Sequence, residues 1–125
     1  MSLVLDAGAF LAVERADRRV MALLKRELLA NRAPRTHGGV VGQVWRGGAR
    51  QTQIARLLSG VEVQPLDLAL GRRAGELLRV AKTSDVIDAA VVLLAEDSDQ
   101  VLTSDPDDLT ALAAAAGTHV ELVRV

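Results

Sequence analysis

The chain has 125 residues, half of them hydrophobic and a quarter charged, and this predicts one globular domain over residues 1–125 rather than a disordered segment. It contains no cysteine, which excludes disulfides, thiolate metal sites and thiol nucleophiles. No apolar run approaches the ~20 residues that span a bilayer, and no basic segment precedes an apolar one at the N-terminus, so we expect a cytoplasmic protein with no membrane partner.

The net charge of −1 hides two segments of opposite charge. Residues 15–82 contain fourteen Lys and Arg against five acids, a net charge of +9. Residues 83–125 contain nine acids against Arg124 alone, a net charge of −8. This asymmetry is typical of an acidic site beside a basic surface for a polyanion, although a solvated, salt-bridged surface accounts for it equally well.

Short apolar runs alternate with amphipathic segments along the whole chain. A strand at residues 3–5 precedes a helix that begins near Ala7, and residues 18–32 have helical spacing that ends before Pro34. Residues 36–45 are ambiguous between a strand and a short helix; further helices are predicted at 49–60, 67–82, 84–99 and 106–117, and further strands at 61–66, 100–105 and 119–125. Strands that alternate with helices predict a three-layer α/β/α domain with a mainly parallel central sheet.

Three aspartates follow the predicted late strand in the segment TSDPDDL, residues 103–109. Asp105 before Pro106 has the pattern of a helix N-cap followed by proline at the first helical position. The two aspartates after it lie in the first turn, where the helix dipole favours carboxylates by ~0.3–1 kcal/mol. Capping alone therefore accounts for each of these acids taken singly, as it does for Asp6 before its helix and for Asp85 and Asp88 at the start of theirs.

Asp6, Asp88 and Asp105 have a second interpretation that depends on the predicted sheet. Strand-to-helix junctions of one polarity share the carboxyl edge of a parallel sheet, and Asp6 and Asp105 each follow a strand. Asp88 shares a helix face with the apolar side chains three, four and seven positions further on, which directs it toward the sheet. Three carboxylates that meet repel one another unless a cation holds them, and their oxygens suit Mg²⁺ or Mn²⁺. Such a metal activates water and stabilises charge at a phosphodiester.

The segments LDAGAFLA (5–12), DAAVVLLA (88–95) and VLTSDPDDL (101–109) resemble, in that order, the motifs of PIN-domain ribonucleases, and especially the VapC-type toxins of bacterial toxin–antitoxin pairs. The resemblance covers essentially the whole chain. It implies a PIN fold and a Mg²⁺- or Mn²⁺-dependent endoribonuclease, the toxin of a type II pair, which cleaves RNA, often forms a homodimer and is inhibited by a small antitoxin protein. By motif position it implies Asp6, Asp88 and Asp105 as catalytic metal ligands and Asp108 as a further acid of the metal site.

Position 43 departs from the pattern of this family. The family usually has a glutamate in the helix after the second strand, in the pattern V-x-x-E-V, and VVGQVW places Gln43 there. A neutral amide keeps an oxygen that holds a metal-bound water but lacks the negative charge, so we expect Gln43 in the catalytic site with weaker metal binding. The alternative is a catalytically weak or inactive PIN-fold module that binds RNA or a protein partner.

Two arginines follow this position and are the candidates for substrate binding. Arg46 and Arg50 lie four residues apart, and cations of this kind contact an RNA backbone, although a solvated helix face explains them equally well. Trp45 is a candidate for stacking on a base, but a lone tryptophan is more often part of a core or an interface. We interpret His37 as a loop residue and His119 as the start of a strand, and neither has the spacing of a metal ligand.

Overall fold

The computed structural model describes all residues, Met1–Val125, and confirms the predicted α/β class. The strands are β1 (Leu3–Leu5), β2 (Arg35–His37), β3 (Glu62–Gln64), β4 (Gln100–Thr103) and β5 (Glu121–Arg124). The helices are α1 (Ala7–Glu14), α2 (Arg18–Leu29), α3 (Gly38–Val44), α4 (Thr52–Leu58), α5 (Leu68–Ala81), α6 (Val86–Leu94) and α7 (Pro106–Ala116). The helix predicted at residues 49–60 is a 3₁₀ helix, Ala49–Gln51, followed by α4.

All five strands are parallel, in the order β3-β2-β1-β4-β5. Val4 in the central strand β1 is in register with Arg35 of β2 and with Val101 of β4. The chain moves from β1 outward to β3 and then returns to β4 on the other side of β1. The carboxyl ends of β1 and β4 therefore form the point where the strand order reverses, which is where open parallel sheets bind ligands.

The helices lie on the sheet in two groups. Parallel strands are joined by right-handed crossovers, so a reversal of strand order moves the connecting helices to the other face. The helices accordingly contact one another in the groups α1–α4 and α5–α7. All residues of β1 and residues 101–103 of β4 are fully buried between these layers, as expected for a parallel sheet covered on both faces. None of the helices is both long enough and apolar enough to cross a membrane.

Aspartate side chains cap four of the helices, α1, α2, α5 and α6. Oδ1 of Asp17, Asp67 and Asp85 each accepts the backbone N–H of the residue three positions later, at 3.0 Å. These bonds satisfy one of the free N–H groups at the start of α2, α5 and α6. The capping role predicted for Asp85 is therefore confirmed.

The predicted positions of His37 in a loop and of His119 at the start of a strand are both wrong. His37 is the last residue of β2 and is fully buried. Both of its ring nitrogens have hydrogen-bond partners inside the protein. His119 is exposed and lies before β5, which begins at Glu121. Its backbone N–H donates to Asp97 at 2.8 Å, so it belongs to the turn that precedes the strand.

Candidate functional site

The side chain of Asp6 is fixed at the carboxyl edge of the sheet. It follows β1 directly, and the residue is 7% exposed. Its Oδ1 accepts the N–H of Ala7 at 2.8 Å, and its Oδ2 accepts the hydroxyl of Thr103 at 2.8 Å. The Thr103 hydroxyl oxygen in turn accepts the N–H of Asp105 at 3.0 Å. One buried hydroxyl at the end of β4 thus connects two of the predicted site acids.

Asp105 occupies the N-cap position of α7, with Pro106 at the start of the helix, but its side chain makes no capping hydrogen bond. The hydrogen bond that its carboxylate accepts comes from the hydroxyl of Ser104, at a long 3.4 Å. The interpretation that capping alone explains Asp105 is therefore wrong. Because the carboxylate is exposed and does not serve the helix, it is available to a ligand.

Asp88 lies in the first turn of α6 and is half-buried. Burial raises the pKa of its carboxyl group, and the charges of Asp85, Asp6, Asp108 and Asp105 raise it further, to about 7. The apolar side chains that share its helix face, at positions 91, 92 and 95, are buried as predicted. Burial, together with these like charges, thus favours the protonated form of Asp88, which a divalent cation would reverse.

An open cavity of about 360 Å³ lies between the N-terminal turns of α6 and α7. It is lined by Thr83, Ser84, Asp85, Asp88, Asp107, Asp108, Ala111 and Leu112, with no basic residue among them. Asp6 and Asp105 are outside this lining and lie beyond the ends of β1 and β4. The cavity is therefore an acidic opening next to the carboxyl edge.

The donor chemistry of this region fits a hard divalent cation. All the candidate ligands are carboxylate oxygens, which suit Mg²⁺ and Mn²⁺, and the raised pKa of Asp88 reflects an excess of negative charge that a cation would neutralise. No three Asp, Glu or His side chains converge closely enough to hold one ion among them. Binding by Asp6, Asp88 and Asp105 together therefore requires their carboxylates to move toward each other.

The residues predicted from α3 and the turn after it lie outside this acidic cavity. Gln43 is exposed on α3 and does not line it. The guanidinium of Arg46 donates to the carbonyl oxygens of Gly42 at 3.0 Å and Trp45 at 2.8 Å, so it folds back onto the end of α3. Arg50 is exposed in the 3₁₀ helix. The structure thus places Asp6 and Asp105 after neighbouring strands and Asp88 and Asp108 in one cavity lining. The three residues of α3 and its following segment do not line that cavity.

Two residues that organise the region were missed from the sequence. Thr103 was detectable in principle, because a hydroxyl residue that ends a buried strand two positions before an aspartate is unusual among apolar neighbours. Gln51 holds the turn after α3: its Oε1 accepts the N–H of Arg46 at 2.7 Å and of Gly47 at 3.0 Å, and its Nε2 donates to Val44 at 2.7 Å. Nothing in the sequence distinguishes Gln51 from a solvated helix residue.

No protein-family model matches the chain, and no curated protein matches it in sequence. A solved structure does match it: the crystal structure of VapBC2 from Rickettsia felis bound to a DNA fragment from their promoter. The match has a TM-score of 0.64 and 13% sequence identity, and covers 98% of this chain and 98% of that chain. The fold is PIN-like. The predicted three-layer α/β/α PIN-like class is therefore confirmed, and in this PIN-like fold the acids lie where the strand order reverses.

Proposed function

We propose that the protein is a VapC-type, Mg²⁺- or Mn²⁺-dependent endoribonuclease, the toxin of a type II toxin–antitoxin pair. The observation that carries this proposal is the crowding of carboxylates around Asp88, whose pKa burial and four neighbouring charges raise to about 7. A carboxylate perturbed by burial and by like charges beside a cleft is typical of a functional site. The PIN-like fold and the three motifs in order support the same conclusion.

The site acids bind the metal in this proposal. Asp6, Asp88 and Asp105 hold the metal, and Asp108, in the first turn of α7, is a further ligand. When bound, the metal lowers the pKa of a water molecule and stabilises charge at the scissile phosphodiester. Thr103 keeps one oxygen of Asp6 in a fixed direction through its 2.8 Å hydrogen bond.

The substrate contacts in this proposal come from exposed cations. Arg46 and Arg50 contact the RNA backbone, whose phosphates are recognised mainly by such charges. Both side chains are exposed after α3, and Arg46 releases only carbonyl contacts when it turns outward. Gln43 on α3 holds a water that assists the reaction; this role is supported by its position in the family motif.

An RNA-cleavage assay tests the proposal. Incubation with single-stranded RNA and Mn²⁺ is expected to give cleavage that EDTA abolishes. The variants Asp6→Asn and Asp105→Asn are each expected to reduce the rate by about 100-fold or more, since even residues that only support a metal ligand matter 10–100-fold. Asp67→Asn is the matched control, because asparagine also caps α5 and the residue lies outside the site. Equal cleavage by all three variants would show that a contaminant is responsible and would overturn the proposed site.

The second candidate is an RNA- or partner-binding module without catalysis, and the amide at Gln43 favours it. The variant Gln43→Glu separates the two candidates. An active site should bind Mn²⁺ more tightly and cleave faster with this change, because a charged ligand replaces a neutral one. Retained RNA binding with no cleavage, by both the unchanged protein and the variant, would establish the module instead.

An exposed apolar groove supports a protein partner. It lies between α2 and α4, has a volume of about 430 Å³, and is lined by Val13, Met21, Ala22, Leu24, Lys25, Leu28, Gln53, Arg56 and Leu57. Its charged residues are all basic, so we propose that an acidic amphipathic segment of a small antitoxin occupies it. Leu28, 59% exposed, offers apolar surface for this contact.

Co-expression with the protein encoded by a neighbouring short reading frame tests the partner. Leu28→Asp should abolish co-purification, because it places a charge in the groove. Leu29→Asp is the matched control: Leu29 is 77% exposed but does not line the groove, so the complex should persist. Loss of the complex in both variants would indicate general disruption of α2 rather than a groove contact.

The resemblance to VapC-type toxins also supports a homodimer in the cytoplasm. Light scattering of the purified protein is expected to give twice the mass of one chain, 13.3 kDa. A mass of one chain at micromolar concentration would remove the homodimer from the proposal without affecting the metal site.

A further inference from the structure

His37 lies between the start of α3 and the start of α6, and it is fully buried. Its Nδ1 accepts the backbone N–H of Gly39 at 3.0 Å, and its Nε2 is 3.0 Å from the carbonyl oxygen of Ile87. Because Nδ1 is the acceptor, the ring proton belongs on Nε2, which donates to Ile87. Both nitrogens are thus used within the protein, and neither is free to bind a ligand.

The ring is held in its neutral form. Burial lowers the pKa of His37, against smaller opposing effects from the Ile87 carbonyl and the charge of Asp6. The surrounding packing is also tight: a Cβ atom at Gly39 would lie 2.5 Å from Cδ1 of Ile87 and 2.8 Å from Cε1 of His37. Glycine at position 39 therefore lets α3 and α6 meet directly at the histidine.

The peptide group that His37 contacts is the one that leads into Asp88. The carbonyl of this group belongs to Ile87 and accepts from His37, and its N–H belongs to Asp88 and donates to Oδ1 of Asp85 at 3.0 Å. A side chain from β2 and a side chain from the start of α6 therefore hold the same peptide plane from its two ends. The direction in which Asp88 leaves the backbone is set by that plane.

We propose that His37 is a positioning residue for Asp88: by donating to Ile87 it fixes the peptide from which the Asp88 side chain extends. The inference rests on the proposed function for the claim that Asp88 is a metal ligand. It extends that function by assigning a site-organising role to a residue that does not itself touch the metal or the substrate. Partners of this kind, outside the ligand set, typically change metal affinity 10–100-fold when they are removed.

The test compares His37→Asn with His37→Gln in the full chain. Asparagine is a good N-cap and keeps an acceptor for the Gly39 N–H, but it is too short to reach the Ile87 carbonyl. Glutamine is longer and places an amide donor near the position of Nε2. We expect the dissociation constant for Mn²⁺, measured by calorimetry, to rise at least about tenfold in His37→Asn and to recover partly in His37→Gln.

Glu27→Gln provides a control for general loss of stability. Glu27 is also fully buried, but it lies on α2 with its own arginine partners and is remote from Asp88 along the fold. The variant Glu27→Gln should lower the free energy of unfolding without changing the Mn²⁺ dissociation constant. If His37→Asn also left that constant unchanged, or if His37→Gln failed to recover any of the loss, the positioning role would be overturned.

Amide hydrogen exchange without metal separates this inference from the proposed function. In His37→Asn the Asp88 amide should exchange roughly tenfold faster, as expected for the loss of one hydrogen bond that holds its peptide, while the Val20 amide capped by Asp17 should not change. Unchanged exchange at Asp88 would overturn the inference whatever the metal result. Faster exchange in a protein that binds no Mn²⁺ would sustain the positioning of Asp88 and overturn the metal-dependent function.

Discussion

Both edges of the sheet contain buried carboxylates, but the charges that surround these carboxylates differ between the two edges. At the amino edge, Asp99 forms an ion pair with Arg35, and Glu27 is paired with Arg32 at 2.7 Å. At the carboxyl edge, Asp88 has four other carboxylates for neighbours, and no basic side chain lines the cavity beside it. The same residue type is compensated at one edge and crowded at the other.

The acids at the two edges also differ in their pKa values. The hydrogen bond from Arg32 holds the pKa of Glu27 below its usual range, although burial opposes it. Burial and like charges instead raise the pKa of Asp88 to about 7. A paired acid stabilises the native state, whereas a crowded acid destabilises it until a cation arrives. Crowded acids therefore point to a function outside folding.

The largest expected effect is at the amino edge. Asp99 accepts the N–H groups of Ser2 and Glu96, both at 2.9 Å, and pairs with Arg35. Asp99→Ala leaves these partly buried donors without a partner and should lower the free energy of unfolding by about 3 kcal/mol in urea titrations. Glu14→Ala, at an exposed acid at the end of α1, should change it by no more than about 0.5 kcal/mol. If Asp99→Ala lowered the free energy of unfolding no more than the control variant does, Asp99 would have no structural role at this edge.

A second test uses pH at the same edge. Because the folded pKa of Glu27 lies below its unfolded value of 4.5, its contribution is present above pH 4.5 and is lost as the pH falls through the folded pKa. Glu27→Gln should therefore lower stability by about 2 kcal/mol at pH 7, the scale of charged hydrogen bonds, and the difference should shrink toward pH 3. A difference that stays constant with pH would mean that packing, and not charge, makes Glu27 stabilising.

The matching test at the carboxyl edge has the opposite sign. The folded pKa of Asp88, about 7, is above its unfolded value of 3.8, so the folded state binds more protons and stability falls as the pH rises between these values. Asp88→Asn should remove this slope and stabilise the metal-free protein by about 1 kcal/mol at pH 8, a figure reduced for partial solvent screening. Urea unfolding at pH 5 and pH 8 in EDTA measures it. If Asp88→Asn destabilised the protein at pH 8, the claim that like charges crowd Asp88 would be contradicted.

The contrast between the edges was only partly predictable from the sequence. The order of strands and helices follows from the change between strand and helix patterns, and the position of Asp6 and Asp105 after neighbouring strands follows from the geometry of parallel sheets. The partners of individual side chains do not follow from either. His37 contacts a carbonyl 50 residues away, and such a contact depends on how α6 packs against β2.

The failure of Asp105 to cap its helix gives the smallest and sharpest test. Local sequence predicts a cap there, but the side-chain rotamer decides whether the bond forms, and the Asp105 carboxylate makes none. At α5, Asp67 does cap, with its bond to Leu70 at 3.0 Å. Asp67→Ala should therefore cost about 1 kcal/mol, and Asp105→Ala well below that, in urea unfolding without metal. With Mn²⁺ present the order should reverse, because only Asp105 contributes to binding an ion that stabilises the folded state. Equal costs at the two positions without metal would restore the capping explanation of Asp105 and weaken its assignment as a ligand.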